Sequence, residues 1–305
     1  MRNLIIKSLL FLGFFSLWSC IQEPVPDNSS SSISFRYSDA SGEDQIDRDN
    51  RIDSIDYWVF DAAEVLYAKS RVKGKGAYKN IAVDLPEGDF TLVAWANLSR
   101  NELLSADPVT TLADLKLSLA KEEGKYDAHS GTLYHGMGTF KTTQEKKEYV
   151  VEMKHKHANI AVYLVGDGVM TASRYACELS TGENIYSFRD GVKIASGSVS
   201  RHRAEFSPVA QRVDERQVAV LRTYRLFQET DRNAAIQIFK DGLPVGEPKL
   251  LNEILQEDGA DVNIYDIQEQ NLTLYIRIDE QGKISFSIYL FYEWNKGVDE
   301  DIIFP

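Results

Sequence analysis

Two cysteines in 305 residues, Cys20 and Cys177, are too few for a disulfide framework. Basic residues are short as well, 34 against 46 acidic. The net charge of -12 removes the phosphate-tracking surface that nucleic acid requires. Apolar runs stay brief, and the amino-terminal one, Leu9 to Phe15, cannot span a bilayer. There is no Gly-x-Ser-x-Gly elbow and no glycine-rich phosphate loop; Ser130-Gly131 and Ser196-Gly197-Ser198 read as turns. The five histidines follow no zinc spacing. His155 and His157 share one face of a strand, with His129 or His135 as the nearest thing to a third ligand, and no metal is expected. Carboxylates cluster at Asp39 to Asp53, Glu257 to Asp261 and Asp299 to Asp301, in expected loops. They read as solvated surface rather than as a glycosidase pair, with weak calcium binding between the two and left open. These absences argue against an enzyme and against a small-molecule substrate.

What is present begins at the amino terminus. Arg2 and Lys7 accompany the apolar run, and the small Ser19 follows it, which is the pattern of a secretory signal. The next residue is Cys20, whose thiol can be made into a diacylglyceryl thioether. Leu17-Trp18-Ser19-Cys20 resembles the lipobox read by the bacterial lipoprotein signal peptidase. That resemblance puts cleavage between Ser19 and Cys20 and a diacylglyceryl and N-acyl lipid on Cys20, with no other cofactor. Residues 1–19 are then a signal and residues 20–32 a tether. Pro24, Pro26, Asp27, Asn28 and Ser29 to Ser32 bury too little apolar surface to offset chain entropy. Extended, the tether reaches ~40 Å. Gln22 and Glu23 resemble the acidic signal that sends lipoproteins of Bacteroides-type bacteria to the outer leaflet of the outer membrane. With Cys20 lipidated, Cys177 stands alone. Alternation turns it with Tyr175 and Leu179 toward one face, so it is expected as a buried structural thiol.

From Ile33 the pattern becomes that of short strands. Ile33, Phe35 and Tyr37 alternate with polar residues. Ile52 to Phe60 and Val65 to Lys69 form an expected hairpin, Asn80 to Leu85 a third run, and Phe90 to Trp95 a nearly continuous apolar strand covered on both faces. Leu112, Leu115 and Leu119 predict a short helix over Thr111 to Ala120. Thr132 to Phe140 and Glu148 to Met153 follow, and His155-Lys156-His157-Ala158-Asn159 reads as the crossing into a second half. That half contains predicted strands at Ile160 to Val165, Arg174 to Leu179, Asn184 to Phe188, Val192 to Val199, Ala204 to Pro208, Gln217 to Phe227, Ala234 to Phe239, Asn271 to Ile278 and Ile284 to Tyr292. A helix is expected near Pro248 to Gln256. The expectation is an all-β, mainly antiparallel chain with domains at 33–156 and 157–305.

Asp56 to Asp61, Val65 to Lys69 and Leu85 to Asn97 closely resemble the FimB-type fimbrial anchor lipoproteins of Bacteroidales, the base subunits of type V pili. Thr132 to Gly136, Val150 to Leu164, Gly246 to Leu255 and Leu272 to Ile278 extend the resemblance. It implies two transthyretin-like β-sandwich domains in tandem, each with a short helix, on an outer-membrane lipid anchor. It also implies a role in holding a fimbria and limiting its length, with shaft or accessory pilins as partners. Contact by β-strand addition is implied, because an open sheet edge offers unpaired N–H and C=O groups. Two segments are candidates for it: Ile33, Phe35 and Tyr37, and the tail residues Ile302, Ile303 and Phe304. The family's pilins are cut after an arginine that follows the first strand. Arg48 and Arg51 lie in such a loop, but a cut there would release the lipid, so no processing is expected. Two alternatives stay open. One is a tip or accessory subunit built on the same sandwiches. The other is a surface glycan-binding lipoprotein with Trp58, Trp95 and Trp294 as platforms, although Trp58 and Trp95 sit inside apolar alternation and are expected in the core.

Overall fold

The computed structural model describes residues 31–38, 42–48, 51–98, 101–104, 111–119, 121–122, 125–126, 132–145, 147–165, 174–208, 217–257, 263–278 and 284–289. The first half comprises β1 (Ser31–Arg36), β2 (Ser54–Phe60), β3 (Leu66–Lys73), β4 (Ile81–Val83), β5 (Gly88–Ala96), β6 (Asn101–Leu104), β7 (Lys116–Leu119), β8 (Lys121–Glu122), β9 (Lys125–Tyr126), β10 (Tyr134–Thr142) and β11 (Glu148–His155). The second half comprises β12 (His157–Val165), β13 (Tyr175–Gly182), β14 (Ile185–Ser187), β15 (Val199–Glu205), β16 (Ser207–Pro208), β17 (Gln217–Tyr224), α1 (Gln228–Asp231), β18 (Ala235–Lys240), β19 (Leu243–Leu250), α2 (Leu251–Glu257), β20 (Gln270–Ile278) and β21 (Ile284–Tyr289). The chain is mainly β, and its pairings are mostly antiparallel.

Seven strands of the first half pair in the order β3-β2-β5-β10-β11-β1-β4. β5 lies between β2 and β10 and is covered on both faces, as its apolar sequence requires. Leu92 and Ala94 point into the core of the first half, and Val93 and Trp95 into a different one. The second half has a five-stranded sheet, β16-β17-β12-β20-β21, and a six-stranded sheet, β19-β18-β13-β15-β9-β8. Its core includes Ile160, Val162, Cys177, Leu221, Ile236 and Leu274. Cys177 is fully buried and free, and burial pushes its thiol pKa up.

The halves are not two closed sandwiches, because they exchange strands. The β8–β9 hairpin, from the first half of the sequence, joins the second half's sheet through Tyr126 opposite His202. In return β14 pairs with β7, which pairs with β6. Between them lies a third core shared by both halves, formed by Trp58, Phe60, Val93, Trp95, Leu112, Leu115, Leu117, Leu133, Tyr186, Phe188 and Tyr224. A self-contained tandem leaves no reason for the outer face of β2 and β5 to be apolar; the shared core supplies one.

Three predicted elements differ from the structure. The helix over Thr111 to Ala120 is a single 3-10 turn, Leu112–Asp114, followed by β7. Leu115 and Leu117 are buried while Lys116 is exposed, a period of two that the helical spacing of the leucines masked. The helix expected from Pro248 begins at Leu251 instead, and Leu243–Leu250 is β19. Pro244 and Pro248 lie in an edge strand, the place where a sheet tolerates a missing N–H. Val192 to Ser198 forms no strand, and Val199 opens β15. The stretch before β15 makes one bridge, Lys193 opposite Tyr186, and carries Lys193 into a buried ion pair with Asp231.

Candidate assembly surface

Two features decide what this fold presents to a partner: the junction that holds the halves together and the sheet edges left open. The junction grows from the one-residue break at Lys156. On either side, His155 and His157 turn inward with ring centroids 3.5 Å apart, and Tyr134 stands edge-on to both. Nδ1 of His157 meets the Leu133 backbone, 3.0 Å from its amide nitrogen and 3.2 Å from its carbonyl oxygen. Burial holds the pKa of His157 down to about 3 and that of His155 well below the usual imidazole value. His135 sits apart from this pair against Trp95, 4.6 Å between centroids, with Nε2 at 2.8 Å from the Arg189 carbonyl oxygen. Burial lowers its pKa to about 3 as well. Lys156 is pulled to about 8, first by burial and then by Arg225 and Lys154.

Direct bonds cross the junction too. The indole N–H of Trp95 donates to the Phe188 carbonyl at 3.0 Å, and the Tyr186 hydroxyl donates to the Lys156 carbonyl at 2.8 Å. The Tyr37 hydroxyl donates to Glu269, which Arg51 also approaches at 3.4 Å. Tyr37→Phe is expected to cost about 1–2 kcal/mol, because Glu269 loses one of its donors in a half-buried site. A shift in the urea unfolding midpoint measures it; an unchanged midpoint contradicts the role given to this bond.

The edges are of three kinds. β19 is guarded by Pro244, Pro248 and the positive-φ Gly246, which spoil a regular ladder. β3 is guarded by charge, with Lys69, Arg71 and Lys73 exposed along it. β21 ends the five-stranded sheet, paired only with β20 among the described residues. No group of three or more His, Cys, Asp or Glu among the described residues is placed to hold a metal ion, and no helix among them is long and apolar enough to cross a membrane.

Residues 23–297 match the family model of the fimbrillin-A associated anchor proteins Mfa1 and Mfa2. The chain belongs to that family. No curated protein matches it. Among solved structures, the fimbrial anchor protein Mfa2 from Porphyromonas gingivalis is similar at a TM-score of 0.60 and 12% identity, over 81% of this chain and 90% of that one. A candidate adhesin from Bacteroides thetaiotaomicron aligns at 0.69 and 17% identity, over 85% and 95%. A candidate polysaccharide-binding protein from the same organism aligns at 0.67 and 18%, over 85% and 95%. At such identities the likeness is one of fold.

The residues singled out in the sequence fall into three groups in this anchor-family chain. In the isolated chain Ile33, Phe35 and Tyr37 are buried in their own core; Ile33 and Phe35 lie in β1, paired with β11 from Ser32 to Arg36 on one side and with β4 from Ser31 to Ile33 on the other, and Tyr37 follows it. Ser19 and Cys20, and Ile302, Ile303 and Phe304, lie outside the described residues, as do His129 and Trp294. Arg51 is held by Glu269 across the junction, and Arg48 pairs with Glu43 and Gln45. Trp58 and Trp95 are buried and offer no platform to a glycan. The guarded edge of β3 was not singled out, although alternating Lys69, Arg71 and Lys73 in an extended segment is the signal of such an edge.

Proposed function

We propose that this chain is an outer-membrane lipoprotein that holds a fimbria at the cell surface and limits its length. The observation that carries this reading is the family match over residues 23–297. Cys20, directly after Ser19 and a short apolar run, supplies the attachment point. The polarity of the fold agrees with it. β1 begins at Ser31, alongside the start of β11, at the end of the first half remote from Lys156. The tether therefore enters at one pole, and the second half, with β21 as an edge strand among the described residues, extends from the other. An incoming pilin strand would pair with that edge through backbone N–H and C=O groups. The neighbour is a shaft or accessory pilin.

Cys20→Ala in the native cell tests this. The expected result is loss of the protein from the outer-membrane fraction, together with fimbriae shed into the medium. Retention of the variant on the membrane, or attached fimbriae of ordinary length, overturns the anchor role. A mature amino terminus at Asp49 or Ile52 on surface protein overturns it independently, since the lipid would then be gone.

A further inference from the structure

We propose that Lys156 is a site of carbon dioxide uptake, its side-chain amine taking up dissolved CO2 as a carbamate at the junction of the two halves. Lys156 is the single residue between β11 and β12, and 8% of its surface is exposed. Among the described residues no carboxylate pairs with it. The charged groups that act on it are Arg225, which follows β17, and Lys154 in β11, and both are cations. The Phe227 ring at 5.8 Å gives the ammonium weak compensation. A buried lysine ordinarily has an acidic partner, as Lys193 has Asp231 at 2.8 Å, whereas Lys156 has only like charge around it.

These surroundings suit a neutral amine and an anion better than an ammonium. Gly191 brings its turn down onto the side chain: a Cβ there would lie 2.5 Å from Nδ1 of His135 and 3.0 Å from Cε of Lys156. Both atoms face that one point, so the sum of the two distances, about 5.5 Å, is the most that can separate them. Nε2 of His135 lies 2.8 Å from the Arg189 carbonyl oxygen, which only accepts, so the neutral ring carries its hydrogen there and Nδ1 is an acceptor. A carbamate nitrogen keeps one N–H to give to such an acceptor. Its carboxylate meets Arg225 and Lys154 as opposite charge, where the ammonium meets them as like charge. The other titratable groups nearby are occupied. Asp190 is held by the Ser187 hydroxyl and Arg189, and the Tyr186 hydroxyl donates to the backbone carbonyl of Lys156.

The step needs only CO2 and the amine. The unshared pair of the neutral nitrogen attacks the carbon of CO2, a C–N bond forms as one C=O π bond opens, and one proton passes from nitrogen to solvent, leaving –NH–COO⁻. Burial first, and then Arg225 and Lys154, bring the pKa of Lys156 to about 8. At pH 8 about half of it is therefore neutral, against under about 1% of an ordinary lysine. The carbamate forms as the pH rises through 8 and is lost as it falls, when the proton returns to the amine. Lysines of the unfolded chain stay protonated at this pH, so CO2 binds the folded state by preference and stabilises it.

This assignment does not rest on the fimbrial reading, and the fate of Cys20→Ala has no bearing on it. The test equilibrates the full mature chain at pH 8 with carbon-13 bicarbonate, traps the carbamate as its ethyl ester with triethyloxonium ion, and maps the label by tandem mass spectrometry. Label is expected on Lys156, roughly tenfold or more above Lys154 and the other lysines, and is expected to vanish at pH 6.5. No label on Lys156, or label spread evenly over the lysines, overturns the proposal. The urea unfolding midpoint gives a second reading. Bicarbonate at pH 8 should raise it relative to chloride of the same ionic strength, and Lys156→Arg, which keeps the charge and forms no carbamate, should abolish the difference. A midpoint that bicarbonate leaves unchanged in the parent, or raises equally in Lys156→Arg, also overturns the assignment. Should Lys156→Arg fail to fold, the parent's label and midpoint decide by themselves.

Discussion

Asp231→Ala is expected to remove about 3–5 kcal/mol of stability, the largest effect of any single substitution in the second half. Asp231 is fully buried, and both its oxygens are saturated. Oδ1 accepts from Lys193 Nζ at 2.8 Å and from the Gly182 amide at 2.9 Å, and Oδ2 accepts from the Phe227 amide at 2.9 Å and the Thr230 hydroxyl at 2.8 Å. Deleting the carboxylate strands a fully buried ammonium whose other contact, the Gly182 carbonyl, is 3.4 Å away. Burial already pulls the pKa of Lys193 down, and the attraction of Asp231 works against that pull. Lys193→Met should cost less, because three neutral donors still satisfy the carboxylate. A double replacement by apolar residues of similar volume should recover part of the loss, since neither charge is then left alone in the interior. Urea unfolding of the four proteins measures this; single variants within about 1 kcal/mol of the parent contradict it.

Acidification should weaken the junction sharply. The folded pKa values of His135 and His157 are about 3, lowered chiefly by burial, against an ordinary value near 6.5. Above pH 6.5 both the folded and the unfolded chain hold neutral rings, and the difference has no effect. Between pH 6.5 and 3 the unfolded chain binds protons that the folded chain refuses, so stability falls as pH falls. The slope is about 1.4 kcal/mol per pH unit for each ring, or about 2 kcal/mol each on reaching pH 5. His155 adds to the loss in the same direction. Urea midpoints at pH 7.5 and pH 5 give the measurement, and His157→Asn should flatten the profile. Equal midpoints at the two pH values would show that these rings are not buried in neutral form.

Both predictions concern residues whose importance the sequence concealed. Lys193 lies in a stretch that reads as a strand, and Asp231 in one that reads as loop. Only the fold brings them to 2.8 Å across 38 positions of sequence. The histidines were visible as a pair with strand spacing, but spacing cannot say whether such a pair faces water, a metal ion or Tyr134. β5 was legible because an almost unbroken apolar run permits only a strand covered on both sides. What covers it was not legible, since the second layer comes from Tyr186, Phe188 and Tyr224, about a hundred residues later. β19 was hidden by its prolines and β7 by leucines that fit two periods at once.

The amino-acid sequence by itself determined the β class and the likeness to fimbrial anchors. Each of these depends on local pattern, on residue chemistry at a fixed spacing or on an order of residues, none of which needs a partner distant in the chain. Tertiary structure alone decided that the halves share strands and a third core, that Ile33 to Tyr37 is buried, and which strands end the sheets among the described residues. Those are outcomes of long-range pairing. A strand's own residues specify that it will pair and which face it will bury, but its neighbour is chosen by the whole chain's competition to cover apolar surface and satisfy backbone groups at once.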